Sequence, residues 1–202
     1  SETVLINDDV AVEDSSYTTG RRGVAATVIV EKIVGSLAET GGSLKECKIL
    51  GDKVNRNSGS MGVAFSSCTV PAAGKPTFIL GPDEMEFGVG IHGEPGRRRD
   101  KVQPAQEITN ELLGAIIEDL KLENNGEILL FVNGMGGTPL TELYLLYDNA
   151  KKTLDNKNIK IARTLVGNYC TSLEMQGASL TITKLDQELK KHWDSPVHTA
   201  AM

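Results

Sequence analysis

The 202-residue chain is 40% hydrophobic and 24% charged, with a formal net charge of −6. That balance is globular; it argues against the basic face of a typical nucleic-acid binder, and no apolar run reaches bilayer-spanning length. With no basic-then-apolar secretory pattern at the start, the chain reads as cytoplasmic, with no nucleic-acid or membrane partner.

Ser1 opens the chain almost directly on Val4-Leu5-Ile6, which reads as a short buried strand ending at Asn7-Asp8-Asp9. Val10 to Gly20 is a polar connection with Ser15, Ser16, Thr18 and Thr19. The first strong helix spans Gly23 to Glu39, its apolar face built from Val24, Thr27, Val28, Ile33, Val34 and Leu37. Gly41-Gly42 stops it, and Ser43 can cap a second helix through Leu44, Cys47, Leu50 and Val54. Met61 to Val70 reads as a strand, Pro71 to Pro76 as a loop and Thr77 to Leu80 as a short extended piece.

From Glu84 the sequence alternates, so that Met85, Phe87, Val89 and Ile91 share one strand face, and at His92 it gives way to Gly-Glu-Pro-Gly, a turn signal. Arg97 to Pro104 reads as a polar, basic loop, and Ala105 to Leu120 as an amphipathic helix. Asn124-Asn125-Gly126 turns the chain into Glu127 to Asn133, whose run Ile128-Leu-Leu-Phe-Val132 is that of a fully buried strand. Thr138-Pro139 reads as N-cap and first turn of a helix bearing Leu140, Leu143, Tyr144, Tyr147 and Leu154. Ile159 to Val166 and Ala178 to Leu185 are two further strands, and Asp186 to Trp193 a last short helix before a Pro196-containing tail. The order is α/β, with a mixed sheet where the strands between Met61 and Ile91 lack intervening helices.

Several residues could carry chemistry. His92, one of three histidines, is held at a strand end on a backbone that glycines let a ligand approach. The alternative is an inert turn histidine. Glu84, Glu86 and Glu94 could ligate a metal, but alternate strand carboxylates usually face water, and no metal site is expected. Gly134-Met-Gly-Gly-Thr138 precedes a helix N-terminus yet lacks a phosphate loop's lysine and spacing, and reads as a structural turn. Arg97-Arg98-Arg99 reads as a solvated run, with an acidic or phosphate partner as the alternative. Arg21 and Arg22 sit where a helix start disfavours cations, so a carboxylate or phosphate is expected to hold them. Asp8-Asp9 is either an acidic site pair or an Asx turn, the latter slightly favoured. Cys47, Cys68 and Cys170 form no Cys-x-x-Cys and read as reduced, buried thiols. Ser66 to Thr69 and Tyr169 to Ser172 carry nucleophile-type atoms without a Gly-x-Ser-x-Gly frame.

Asp8-Asp9-Val-Ala-Val12, Gly20-Arg-Arg-Gly-Val-Ala25, Ser66-Ser-Cys-Thr-Val-Pro71, Glu86-Phe-Gly-Val-Gly-Ile-His-Gly-Glu-Pro-Gly96, Thr138-Pro-Leu-Thr-Glu-Leu143 and Cys170-Thr-Ser-Leu173 occur in order along essentially the whole chain. With them the chain closely resembles the C-terminal part of the dihydroxyacetone-binding subunit of dihydroxyacetone kinases. The resemblance implies that His92 is both the catalytic and the substrate-binding residue, its Nε2 adding to the ketone carbon and holding dihydroxyacetone as a hemiaminal. Glycerol, which has no carbonyl, would be excluded, and the terminal hydroxyl would be oriented for phosphoryl transfer.

It further implies that residues 1–40 end a first parallel-sheet α/β domain, 41–185 form a second α/β domain with a mixed sheet, and 186–202 a C-terminal helix and tail. The family's other acid/base residues lie in an N-terminal half with no counterpart here, so the chain reads as a fragment, inactive alone, and that half is an expected partner. No cofactor is expected on this chain. Nucleotide is expected on a separate kinase subunit, rephosphorylated by a phosphotransferase-system protein, and the subunit is expected to be a homodimer. The alternatives are a dihydroxyacetone-sensing transcriptional co-activator without kinase activity, and a binder of some other short ketone or aldehyde.

Overall fold

The computed structural model describes residues 1–12, 20–94 and 96–202. In chain order it contains α1 (Ala26–Glu39), α2 (Leu44–Arg56), β1 (Ser58–Ala64), β2 (Thr69–Val70), β3 (Lys75–Pro76), β4 (Glu84–Phe87), β5 (Arg98–Lys101), α3 (Ala105–Leu120), β6 (Glu127–Gly134), α4 (Leu140–Asn156), β7 (Lys160–Gly167), β8 (Gly177–Lys184) and α5 (Gln187–Trp193). Six strands form one sheet in the order β5-β4-β1-β8-β6-β7, and β2 and β3 pair as a small hairpin. Only β6 and β7 run parallel within the six-stranded sheet; the other neighbours are antiparallel. The sheet is therefore mixed, as the helix-free stretch of strands implied.

The pleat of β6 divides the core. Ile128, Leu130 and Val132 join Leu112, Leu113 and Ile116 of α3 and Leu143 and Leu154 of α4 on one face. Leu129 and Phe131 join Ile29 and Ile33 of α1, Leu50 and Val54 of α2, and Leu189 and Trp193 of α5 on the other. A continuous apolar run is what a strand covered on both faces needs. Residues on either side of position 40 thus contribute to one apolar cluster.

Beside that second cluster lies a polar ladder. Ser58 Oγ meets Thr183 Oγ1 and Ser60 Oγ meets Thr181 Oγ1, each at 2.7 Å, and all four residues are buried. Every hydroxyl there finds a partner, which is what makes their burial affordable.

Helix starts differ from one another. Ser43 caps α2, as expected, and Glu46 completes a capping box with it. α4 instead has Pro139 at its N-cap with no capping side chain. Thr138 does not cap it, because its hydroxyl donates to Gly177 O at 2.7 Å and accepts from Gly177 N at 2.9 Å, tying α4 to β8. α1 begins three residues later than expected and is capped across space by Asp8, whose carboxylate accepts from the N–H groups of Val24 (2.8 Å) and Ala26 (2.9 Å).

Three other expectations are corrected. Val4 to Ile6 forms no strand. Leu5 is 71% exposed, and Asn55 anchors the segment through Leu5 O and Asn7. The strand read as Met61 to Val70 ends at Ala64, and its last two residues form the separate strand β2. The basic segment after Arg97 contains an edge strand, β5, whose charged side chains suit an unpaired sheet edge. The polar connection's Ser15, Ser16, Thr18 and Thr19 lie outside the described residues.

Candidate functional site

β1 and β6 leave the sheet, and β8 enters it, at one edge. Cys68 follows β1, Met135 follows β6 and Met175 precedes β8; with Ala64 they form a small buried cluster that receives Val89. This is the edge of an α/β sheet beyond the carboxyl ends of its strands, where ligands commonly bind. Val89 carries the His92 loop onto that edge. The strand does not continue to Ile91, as its alternation suggested, because Gly88 adopts φ +75°, where a Cβ would come within 2.5 Å of Ala11 Cβ. The N–H of Gly88 bonds to Gly62 O at 2.6 Å, and the chain then folds back. Gly93 closes the turn, donating to Gly90 O at 3.0 Å with φ +77° and packing so closely on Thr77 that a Cβ would overlap its hydroxyl.

On this loop the His92 side chain is 78% exposed. Its Nδ1 lies 3.1 Å from Glu94 Oε1, and its backbone N–H donates to Glu94 Oε2 at 2.9 Å. Among the described residues no hydrogen bond engages Nε2. Burial pushes the Glu94 carboxyl up, but hydrogen bonds from its own N–H and from the ring and N–H of His92 outweigh it and hold it below the ordinary glutamate value. A nitrogen lone pair can thus face solvent from a ring fixed on its other side.

Behind the loop stands a buried ion pair. Arg22 Nη2 lies 2.7 Å from Asp9 Oδ2 and donates to Gly88 O at 2.7 Å, so the arginine reaches the residue at which the loop leaves β4. Burial raises the Asp9 carboxyl to about 6, against the pull of the Arg22 charge and the Ala11 N–H. Burial also raises Asp8, opposed by hydrogen bonds from Ser60, Val24 and Ala26. The aspartates therefore serve the start of α1 and Arg22. The expected Asx geometry is seen in the 2.9 Å bond from Ala11 N to Asp9 Oδ1. Arg21 pairs with Asp119 of α3 at 2.5 Å, so carboxylates hold both arginines.

The carboxylates near His92 do different work from that read in the sequence. Among the described residues no cluster of ligating side chains could hold a metal. Glu86 does not face water: it is buried, paired with Arg99 at 2.9 Å and accepting from Gly96 N at 2.8 Å. Glu84 accepts from Gly81 N at 2.7 Å. Arg98 pairs with Glu111 at 2.7 Å, so two members of the basic run meet acidic partners within the chain. Gly136 and Gly137 lie against the backbone of Leu173 to Gln176, leaving no room for a side chain, which supports the structural reading of that turn. All three cysteines are free; Cys68 is buried and the other two half-buried. Burial pushes the Cys170 thiol up to about 11, far from a nucleophile's range. The role of Glu94 toward His92 was missed, although its place two residues after the histidine within a tight turn was a usable signal.

The Dak1 domain model matches residues 1–201. The chain belongs to the Dak1 domain family. It is 50% identical over 187 residues, 93% of its length, to the dihydroxyacetone-binding subunit DhaK of PTS-dependent dihydroxyacetone kinase 1 from Listeria innocua, covering 57% of that protein. It is 43% identical over 224 aligned residues, 99% of its length, to the dihydroxyacetone-binding subunit DhaK of the PEP-dependent dihydroxyacetone kinase from Escherichia coli, covering 63% of it. The chain therefore spans about three-fifths of the length of these curated relatives. Among solved structures, the dihydroxyacetone kinase operon co-activator Dha-DhaQ matches with a TM-score of 0.87 and 32% identity, over 96% of this chain and 60% of that one. Among the described residues no helix is long and apolar enough to cross a membrane.

Proposed function

We propose that these residues form the substrate-anchoring part of a dihydroxyacetone-binding subunit of a dihydroxyacetone kinase. The observation that carries the reading is the presentation of His92, exposed on a Dak1-family loop with Nδ1 beside Glu94 and Nε2 open. Nε2 adds to the ketone carbon of dihydroxyacetone, and the hemiaminal holds the terminal hydroxyl toward the phosphoryl donor. The acid/base residues are supplied by the N-terminal part of the subunit. Nucleotide resides on a partner kinase subunit recharged by a phosphotransferase-system protein in the cytoplasm, and the subunit is a homodimer. The names of the Listeria and Escherichia relatives support the substrate and the phosphoryl source.

The test is reconstitution of the whole subunit carrying these residues with a nucleotide-bearing subunit and the phosphotransferase components. Transfer to dihydroxyacetone but not glycerol, abolished in His92→Ala, is expected. The likeness to Dha-DhaQ favours one second reading, a dihydroxyacetone sensor that binds through His92 and regulates transcription. Dihydroxyacetone binding without phosphoryl transfer in that assay would select it.

A further inference from the structure

Glu94 presents both carboxylate oxygens to one residue. Oε1 faces His92 Nδ1 at 3.1 Å and Oε2 accepts the His92 backbone N–H at 2.9 Å. The carboxylate itself is held in place: its side chain is 23% exposed against 78% for the histidine, and Gly90 beside it has no Cβ, which would overlap Oε2. Arg22 Nη1 also lies near that position, 3.1 Å from where the Cβ would be. A mobile surface glutamate would have none of these constraints.

An ionised carboxylate only accepts hydrogen bonds. The ring nitrogen facing it must therefore carry the proton, which leaves the lone pair of a neutral ring on Nε2, the exposed nitrogen. The partner of one imidazole nitrogen commonly sets the chemistry of the other in this way.

We propose that Glu94 is the positioning residue of this site: it fixes His92 as the Nδ1–H tautomer and stabilises the positive charge that the ring acquires when Nε2 bonds to a carbonyl carbon. The inference rests on the anchoring role proposed above for His92. In the addition the Nε2 lone pair forms the N–C bond, the carbonyl π bond breaks, and its electron pair moves to oxygen, which takes a proton from solvent. Nδ1 keeps its own proton, so the alkylated ring is cationic and faces the Glu94 carboxylate.

Glu94→Gln tests the role, because an amide offers one acceptor and one donor where the loop needs two acceptors. Nitrogen-15 spectra of the His92 ring in this chain, recorded at about pH 8.5 where free imidazoles are neutral, report the tautomer directly, and His92→Ala identifies the signals. The wild-type ring is expected to be predominantly Nδ1–H. The Gln variant is expected to shift toward Nε2–H and, in the whole subunit, to weaken the dihydroxyacetone adduct by about ten- to a hundredfold, the loss typical of a hydrogen bond to a charged group. A wild-type ring predominantly Nε2–H, or a Gln variant unchanged in both tautomer and adduct, overturns the proposal. Should the Gln variant lose its fold, Gly90→Ala displaces the carboxylate from its other side and is expected to produce the same tautomer shift. The tautomer is read without ligand, so failure of the wild type to form any adduct would count against the anchoring reading alone.

Discussion

Arg22→Met separates the buried ion pair behind the His92 loop from ordinary surface charge. The side chains of Arg22 and Asp9 are 8% and 4% exposed, and the guanidinium bonds both to the carboxylate and to Gly88 O. Methionine fills most of the space but leaves Asp9 buried without its cation. Removing one partner of a buried pair typically costs about 3–5 kcal/mol, because the remaining charge is left unsolvated. With a urea dependence of about 2.5 kcal/mol/M for a chain of this size, the unfolding midpoint is expected to fall by about 1–2 M. Arg21→Met is the control. Its pair with Asp119 is partly exposed, at 31% and 24%, and its loss is expected to cost at most about 1 kcal/mol. Adding Asp9→Asn to the Arg22 variant should recover much of the stability, since a neutral amide can still accept from Ala11 N. Equal effects at Arg21 and Arg22, or no recovery in the double variant, would refute the assignment of Asp9 as the group left unpaired.

Three further outcomes are expected. Gly136→Ala, at φ +117° with its Cβ forced into Leu173 O, should lower stability by at least about 2 kcal/mol more than Gly74→Ala, which has φ +61° but open space, as compared by urea melts. Phe131→Ala removes a fully buried ring that meets Tyr169 edge-on at 5.8 Å and should cost about 3–5 kcal/mol, again by urea melts. Hydrogen bonds from Lys160 and Lys190 hold the Glu127 carboxyl down at about 2, so its carbon-13 titration should fall well below that of a free glutamate and move up in Lys160→Ala. A folded-state value depressed in this way gives stability that is present above the unfolded value near 4.5 and is lost as the pH falls toward 2.

Strong periodicity made much of the fold legible. The apolar run of β6 and the span of α3 were read nearly to their ends, because burial on two sides or one leaves a clear pattern, whereas the stripe read for α4 holds at Leu143 and Leu154 but not at Leu140 and Tyr144, which are exposed. What escaped reading depended on contacts between distant residues. β5 is an edge strand whose arginines look like a loop until Glu86 and Glu111 are placed opposite them. β4 stops at Phe87 because Gly88 turns to meet Gly62 and Ala11, which no local alternation reveals. Val4 to Ile6 has strand composition but lies beside α2, where Val4 occupies the space left by Gly51. At the site His92 was legible from its glycine setting and family motif. The role of Glu94 went unread: its place two residues after the histidine was the one local signal, and the contact of Gly93 with Thr77 that helps close the turn joins distant residues.

The central claim is that His92 Nε2 bonds covalently to the ketone carbon of dihydroxyacetone. Intact-mass spectrometry of the whole subunit under mild conditions, with dihydroxyacetone present and no reductant, tests it directly against His92→Ala. The account predicts a reversible gain of one substrate mass on the wild type and none on the variant. An unmodified wild type, or an equal gain on the variant, would contradict it.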